Sequence, residues 1–175
     1  MASAAGLGNG AAPAPDHHLV QLARWAALLL PMSLLAGALG SEKIGGLVPC
    51  EMCHWQRWPH YAAVGLAALS FAARGRPAGR LLVALAAAAI AVSGLIGVYH
   101  AGVELGIFQG VSACTTTARA GSTEELLKAI LATPLVRCDQ VQFSFLGISM
   151  AGWNAIISLG GAAAIAALLA RGRRA

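Results

Sequence analysis

Charge is scarce in this sequence. Lys, Arg, Asp and Glu make up 11% of its 175 residues, against roughly 25% in a water-soluble domain. Hydrophobic residues make up 58%, and mean hydropathy is +0.69. That balance excludes an ordinary soluble globular domain. Flavin and dinucleotide signatures are also missing. The one spaced-glycine region, 93–102, falls within an apolar run, where small residues more simply allow close helix packing. The first eighteen residues, MASAAGLGNGAAPAPDHH, lack any apolar periodicity and read as a disordered tail rich in Gly, Ala and Pro. His17 and His18 are then solvated and not metal ligands.

What is present is segmented. Apolar stretches at about 19–39, 58–73, 81–99 and 145–170 approach the roughly 20 residues needed to cross a hydrocarbon core. The expected fold is therefore all-α, an integral membrane four-helix bundle occupying residues 19–170, with a tail at 1–18 and a basic tail at 171–175. Two stretches of different composition, 40–57 and 100–144, hold all four cysteines and most of the acidic residues, so the chemistry belongs there.

A net charge of +5 suggests nucleic acid less than orientation. Arg74, Arg76 and Arg80 crowd one short loop, Arg171, Arg173 and Arg174 crowd the C-terminus, and Arg24 lies near the start of the first span. Short basic clusters beside spans are retained on the cytoplasmic side. Both termini and the 74–80 loop are thus expected inside, and the two cysteine-bearing loops outside. A competing reading takes Arg24, the apolar run 26–35 and Ala36-Gly37-Ala38 as a cleaved secretory signal. Cleavage would leave three spans without moving the cysteine loops.

The cysteines fall as Cys50-Glu51-Met52-Cys53 in the first outer loop and as Cys114 and Cys138 in the second. Outside a bacterial-type membrane such thiols persist as disulfides. Two structural bridges are the plain alternative, but a Cys-x-x-Cys bridge closes a tiny loop and constrains the unfolded chain little; the spacing suits exchange better. Pro49 is able to start a helix because its missing amide hydrogen is not needed in the first turn, which places Cys50 and Cys53 at the opening of the second span. The partial positive charge of a helix N-terminus favours a thiolate there. Arg57, four residues after Cys53 and seven after Cys50, shares their face and lowers the pKa of Cys53 further; its alternative role is snorkelling to lipid phosphates. Pro59 is expected to kink or delay this helix.

The second outer loop, about 45 residues, is too long for a mere connector. Ser122-Thr123-Glu124-Glu125 is a capping box, followed by Leu126, Leu127, Ile130 and Leu131 at helical spacing and a stop at Pro134. A short amphipathic helix is expected, on the membrane surface or on the bundle top.

Pro49-Cys50-Glu51-Met52-Cys53-His54-Trp55-Gln56-Arg57 resembles the proline, Cys-x-x-Cys, aromatic, x, Arg signature of the DsbB family. The likeness extends to the order of the spans, the separated second cysteine pair, Tyr99-His100 after the third span, and Phe145 to Trp153 opening the fourth. Vitamin K epoxide reductase relatives use similar chemistry but place the separated pair before the Cys-x-x-Cys. The resemblance implies a disulfide-generating thiol:quinone oxidoreductase of the bacterial inner membrane, with periplasmic cysteine loops. A reduced periplasmic DsbA-like partner of thioredoxin fold would attack a Cys114–Cys138 disulfide and form a mixed disulfide with Cys114. Cys138 would then exchange with Cys50, leaving Cys53 as the thiolate facing ubiquinone or menaquinone. It also implies that Arg57 holds that thiolate or polarises a quinone oxygen, and that His100 and Met150 lie near the quinone. For His100 and Met150 the alternatives are an interfacial hydrogen-bond donor and lipid-facing or core packing. A relay ending on a quinone makes energetic sense, because a strongly oxidising partner is reoxidised only by something more oxidising.

Three rivals stand beside this reading. Cys50-Glu51-Met52-Cys53-His54 also spells the c-type haem attachment motif, with His60, His100 or a Met as second axial ligand. Against it stand Cys114 and Cys138, the placement of Arg57 and the scant soluble fold available to cover a haem. Zinc held by Cys50, Cys53, His54 and Cys114 or Cys138 has suitable ligand types. The third is a non-enzymatic membrane subunit stabilised by disulfides.

Overall fold

Helices dominate because the long runs of Ala, Leu and Ile have no hydrogen-bonding alternative in an apolar solvent except to pair their own backbones. The computed structural model describes residues 17–110, 122–124 and 136–174. Among them are four long helices, α1 (His17–Lys43), α2 (Glu51–Ala72), α3 (Pro77–Glu104) and α4 (Met150–Arg174), and one hairpin of strands β1 (Ser144–Phe145) and β2 (Ile148–Ser149). The N-terminal tail before His17, Cys114 and most of the amphipathic segment expected at 122–134 lie outside the described residues.

The helices form a ring: α1 packs on α2, α2 on α3, α3 on α4 and α4 back on α1, while α1 and α3 touch little across the diagonal. Small residues make this close approach feasible. Ala23, Ala27, Ala63, Ala67, Ala86, Ala87 and Ala162 form the buried core with Val83, Ile90 and Ile165. At Gly97 a Cβ would come within 3.0 Å of the Ala151 carbonyl oxygen and the Ala155 amide nitrogen, so that glycine sets the α3–α4 distance. Large apolar side chains such as Leu29, Leu69, Leu85, Leu95 and Ile156 point outward, the reverse of a soluble bundle and the arrangement a bilayer solvates. α1, α3 and residues Met150–Gly172 are long and apolar enough to cross a membrane, and the chain is a multi-pass membrane protein. α2 is less apolar because its first turns carry Glu51, His54, Gln56, Arg57 and His60.

The two ends of the ring differ. At one, Arg24 and Arg74 flank the Phe71 ring at 5.8 and 5.0 Å, and Arg80 donates to the Leu169 and Gly172 carbonyls at 2.9 and 3.1 Å, capping the last turns of α4. The other end holds the Cys50–Cys53 turn and the hairpin. α1 packs into the bundle, with Val20, Ala23, Ala27 and Leu35 buried.

Three local expectations change. Pro49 does not occupy the first turn: Cys50 is the N-cap (φ −75, ψ 171) and α2 begins at Glu51. Pro59 does not delay the helix, which runs through it to Ala72 with one backbone hydrogen bond fewer. Residues 145–149 do not open the last helix. Leu146 (φ 52) and Gly147 (φ 77) form a two-residue turn with both central φ positive, the geometry that closes a hairpin, and it pairs Phe145 with Ile148.

Candidate functional site

The site begins with the cap of α2. The Cys53 amide donates to Cys50 Sγ at 3.3 Å, satisfying one of the helix's open N–H groups, and the two sulfurs lie 2.9 Å apart. Cys50 is buried, while Cys53 is half-buried. Cys50, Met52 and Val103 form a small apolar cluster on which Cys53, Val136 and Cys138 pack, so the long second loop returns Cys138 to the Cys-x-x-Cys. Among the described residues, Cys50, Cys53 and Cys138 form no disulfide with one another.

Both cysteines of the turn lie above the apolar part of α2, which starts near Trp58. The hydrogen bond from Cys50 draws the Cys53 thiol down to about 7, helped by Arg57 and opposed by burial. The same bond, together with burial, pushes the Cys50 thiol up. Cys53 is therefore the sulfur that carries charge.

Arg57 donates to Glu42 at the end of α1 (2.5 Å) and to the Ala38 carbonyl (3.2 Å). A cavity of about 260 Å³ opens beside these groups, lined by Cys50, Cys53, Arg57, His100 and Met150, with α1 forming one wall and Trp153 and Asn154 another. The structure thus gathers Cys50, Cys53, Arg57, His100 and Met150 at the cavity with Cys138 packed beside them, while His54 and His60 do not line it and Cys114 lies outside the described residues. The cavity walls are mostly apolar, with few charged and polar groups among them.

Several contributors went unnoticed in the sequence. Gln56 bonds His100 Nδ1 at 2.7 Å and receives Asn154 Nδ2 at 2.8 Å. Asn154 Oδ1 meets His60 Nε2 at 3.0 Å, and Ser93 joins the same group. Glu104 accepts from the Ser149 hydroxyl and lies 3.9 Å from His100 Nε2. The available signal was polarity within an apolar span, which is costly and so seldom idle. Glu42 gave no signal beyond its charge.

Cys50, Cys53 and His100 place ligand atoms within 4.8 Å of one another, but His54, required by both the haem motif and the zinc set considered above, does not line the cavity.

Comparison with known proteins gives a concordant answer. The family model described as disulfide bond formation protein DsbB matches residues 20–168. An uncharacterized protein of Rickettsia prowazekii (strain Madrid E) is 25% identical over 137 residues, covering 75% of this chain and 78% of that protein. No solved structure matches.

Proposed function

This chain belongs to the DsbB family, whose members are disulfide-generating membrane oxidoreductases, and on that premise we propose that it reoxidises a periplasmic DsbA-like dithiol protein with a quinone as electron acceptor. The observation that carries the reading is the packing of Cys138 onto the Cys50–Cys53 turn beside an apolar cavity that also contains Arg57. Three sulfurs from two loops meet where a soluble thiol and a membrane-borne oxidant are both within reach.

The partner's thiolate attacks the Cys114–Cys138 disulfide at Cys114, breaking the S–S bond and releasing Cys138 as thiolate. The second partner thiol displaces Cys114, so the partner leaves oxidised. Cys138 attacks Cys50 of the Cys50–Cys53 disulfide and expels Cys53, the sulfur best able to leave as an anion because its thiol is already lowered. Cys114 then closes on Cys138, expelling Cys50, and the reduced pair gives up two electrons and two protons. A quinone supplies the driving force of that last step when bound, and Arg57, His100 and Met150 are the residues that would hold it. Arg57, pinned by Glu42, keeps a fixed positive charge beside Cys53. The inner membrane location, with the cysteine end periplasmic, accords with the basic clusters at the opposite end.

The test is to mix the full-length protein in detergent with quinone and a reduced thioredoxin-fold dithiol and follow quinone absorbance. Wild type should reduce it, and Cys53→Ser should not. Unimpaired reduction by Cys53→Ser would remove Cys53 from the path.

A further inference from the structure

A column of buried and half-buried amides and imidazoles runs down from the cysteine turn, and its hydrogen-bond directions are fixed by two backbone carbonyls. Gln56 Nε2 lies 3.2 Å from the Met52 carbonyl oxygen. An oxygen cannot occupy that place without facing another oxygen, so the amide nitrogen does. Asn154 Nδ2 lies 3.2 Å from the Ser93 carbonyl oxygen, which fixes the second amide in the same way. The Asn154 nitrogen then donates to Gln56 Oε1 at 2.8 Å, and Gln56 Nε2 donates to His100 Nδ1 at 2.7 Å. An amide nitrogen is a donor only. His100 Nδ1 must therefore accept, and the ring proton sits on Nε2.

That nitrogen faces acceptors: Cys50 Sγ at 3.5 Å and Glu104 Oε1 at 3.9 Å. We infer that Gln56 and Asn154 are positioning residues that hold His100 in its Nε2–H form, making it a fixed hydrogen-bond donor toward Cys50 and the cavity and not a base that takes a thiol proton. The inference rests on the function proposed above only for what the donor is for. The same geometry removes the metal reading. A metal-binding imidazole donates its other N–H to an acceptor, whereas here the other nitrogen faces an amide N–H; the Cys50, Cys53 and His100 cluster has the spacing of a soft-metal site with the wrong partner behind the histidine.

The experiment reads the tautomer directly. Full-length, reduced protein labelled with ¹⁵N-histidine is examined by NMR without quinone or thiol partner, and His100 is identified by the signals lost in His100→Gln. The expected spectrum shows a protonated Nε2 and an unprotonated Nδ1. Gln56→Met removes the donor and should give a mixture of the two forms. Asn154→Asp sets oxygen against Gln56 Oε1, so that either direction of the Gln56 amide faces one oxygen with another, and it should likewise give a mixture of the two forms. In both variants the turnover number should fall about tenfold, the cost of roughly one hydrogen bond, with KM for the thiol partner unchanged. An Nδ1–H wild type, a tautomer unmoved in both variants, or a wild-type Nε2 resonance shifted by stoichiometric Zn²⁺ would each overturn the inference. If wild type reduces no quinone yet shows the Nε2–H ring with the variant shifts, the functional proposal fails and the positioning stands.

Discussion

Arg57 Nη1 lies 2.5 Å from Glu42 Oε2, and both side chains are largely buried, Arg57 to 10% exposure and Glu42 to 20%. The cation whose field reaches Cys53 is thus held by a carboxylate from a different helix. The two groups act on the sulfur with opposite signs. Replacing Arg57 by Gln should raise the Cys53 thiol above about 7 and slow its alkylation at neutral pH several-fold. Replacing Glu42 by Gln should leave the guanidinium uncompensated and move the titration the other way. Iodoacetamide rates against pH would show it; a shift in the same direction for both variants contradicts a field effect.

In the reduced protein the pH dependence follows from the lowered thiol. A depressed pKa means that the thiolate is already half formed at pH about 7, where an unperturbed thiol, near 8.5, is only a few per cent ionised. Cys53 alkylation should rise with pH through about 7 and level off above it, losing roughly tenfold per unit on the acid side. Cys50, whose thiol is pushed up, should be modified last. Peptide mapping after short pulses of reagent distinguishes the two sulfurs; equal labelling at pH 7 contradicts the assignment.

Cys138 should bond Cys50 when Cys53 is absent. It packs onto the Cys50 cluster, so in Cys53→Ser an oxidised Cys50–Cys138 cross-link is the expected product under non-reducing digestion and mass mapping. A Cys50–Cys114 link instead would mean that the loop presents its other sulfur.

Much of this was legible in the residues, and the reason is chemical. Four apolar runs separated by charged or Gly-rich stretches leave a bilayer protein few folds, and Cys50, Cys53 and Arg57 announce themselves by type and spacing, whereas His100 and Met150 stand out only through the resemblance to the DsbB family. Side-chain partnership across helices has no such signature. Glu42 pairs with Arg57 across 15 positions and Asn154 meets Gln56 across 98, distances over which only the assembled ring brings them together. Residues 145–149 looked like the start of a span because Phe145, Leu146 and Ile148 are apolar, but the positive φ at Leu146 and Gly147 makes a hairpin of them.

The α3–α4 contact gives a stability test independent of redox chemistry. Gly97→Ala puts a methyl 3.0 Å from two backbone atoms of α4, which cannot give way as a flexible side chain would. A loss of about 1–3 kcal/mol is expected. Gly65→Ala in α2 meets nothing within 4 Å and should gain about 0.5–1 kcal/mol from helix propensity. Unfolding midpoints in mixed detergent micelles report both, and equal midpoints for the two variants would contradict the packing.

In the proposed relay, electrons leave through Cys53 to a quinone. The most direct measurement is an absorption spectrum of the purified protein, followed through the quinone band on mixing with a reduced dithiol protein. The expected result is no haem Soret band and loss of one quinone per two thiols oxidised, abolished in Cys53→Ser. A Soret band, or quinone reduction that survives that substitution, would contradict it.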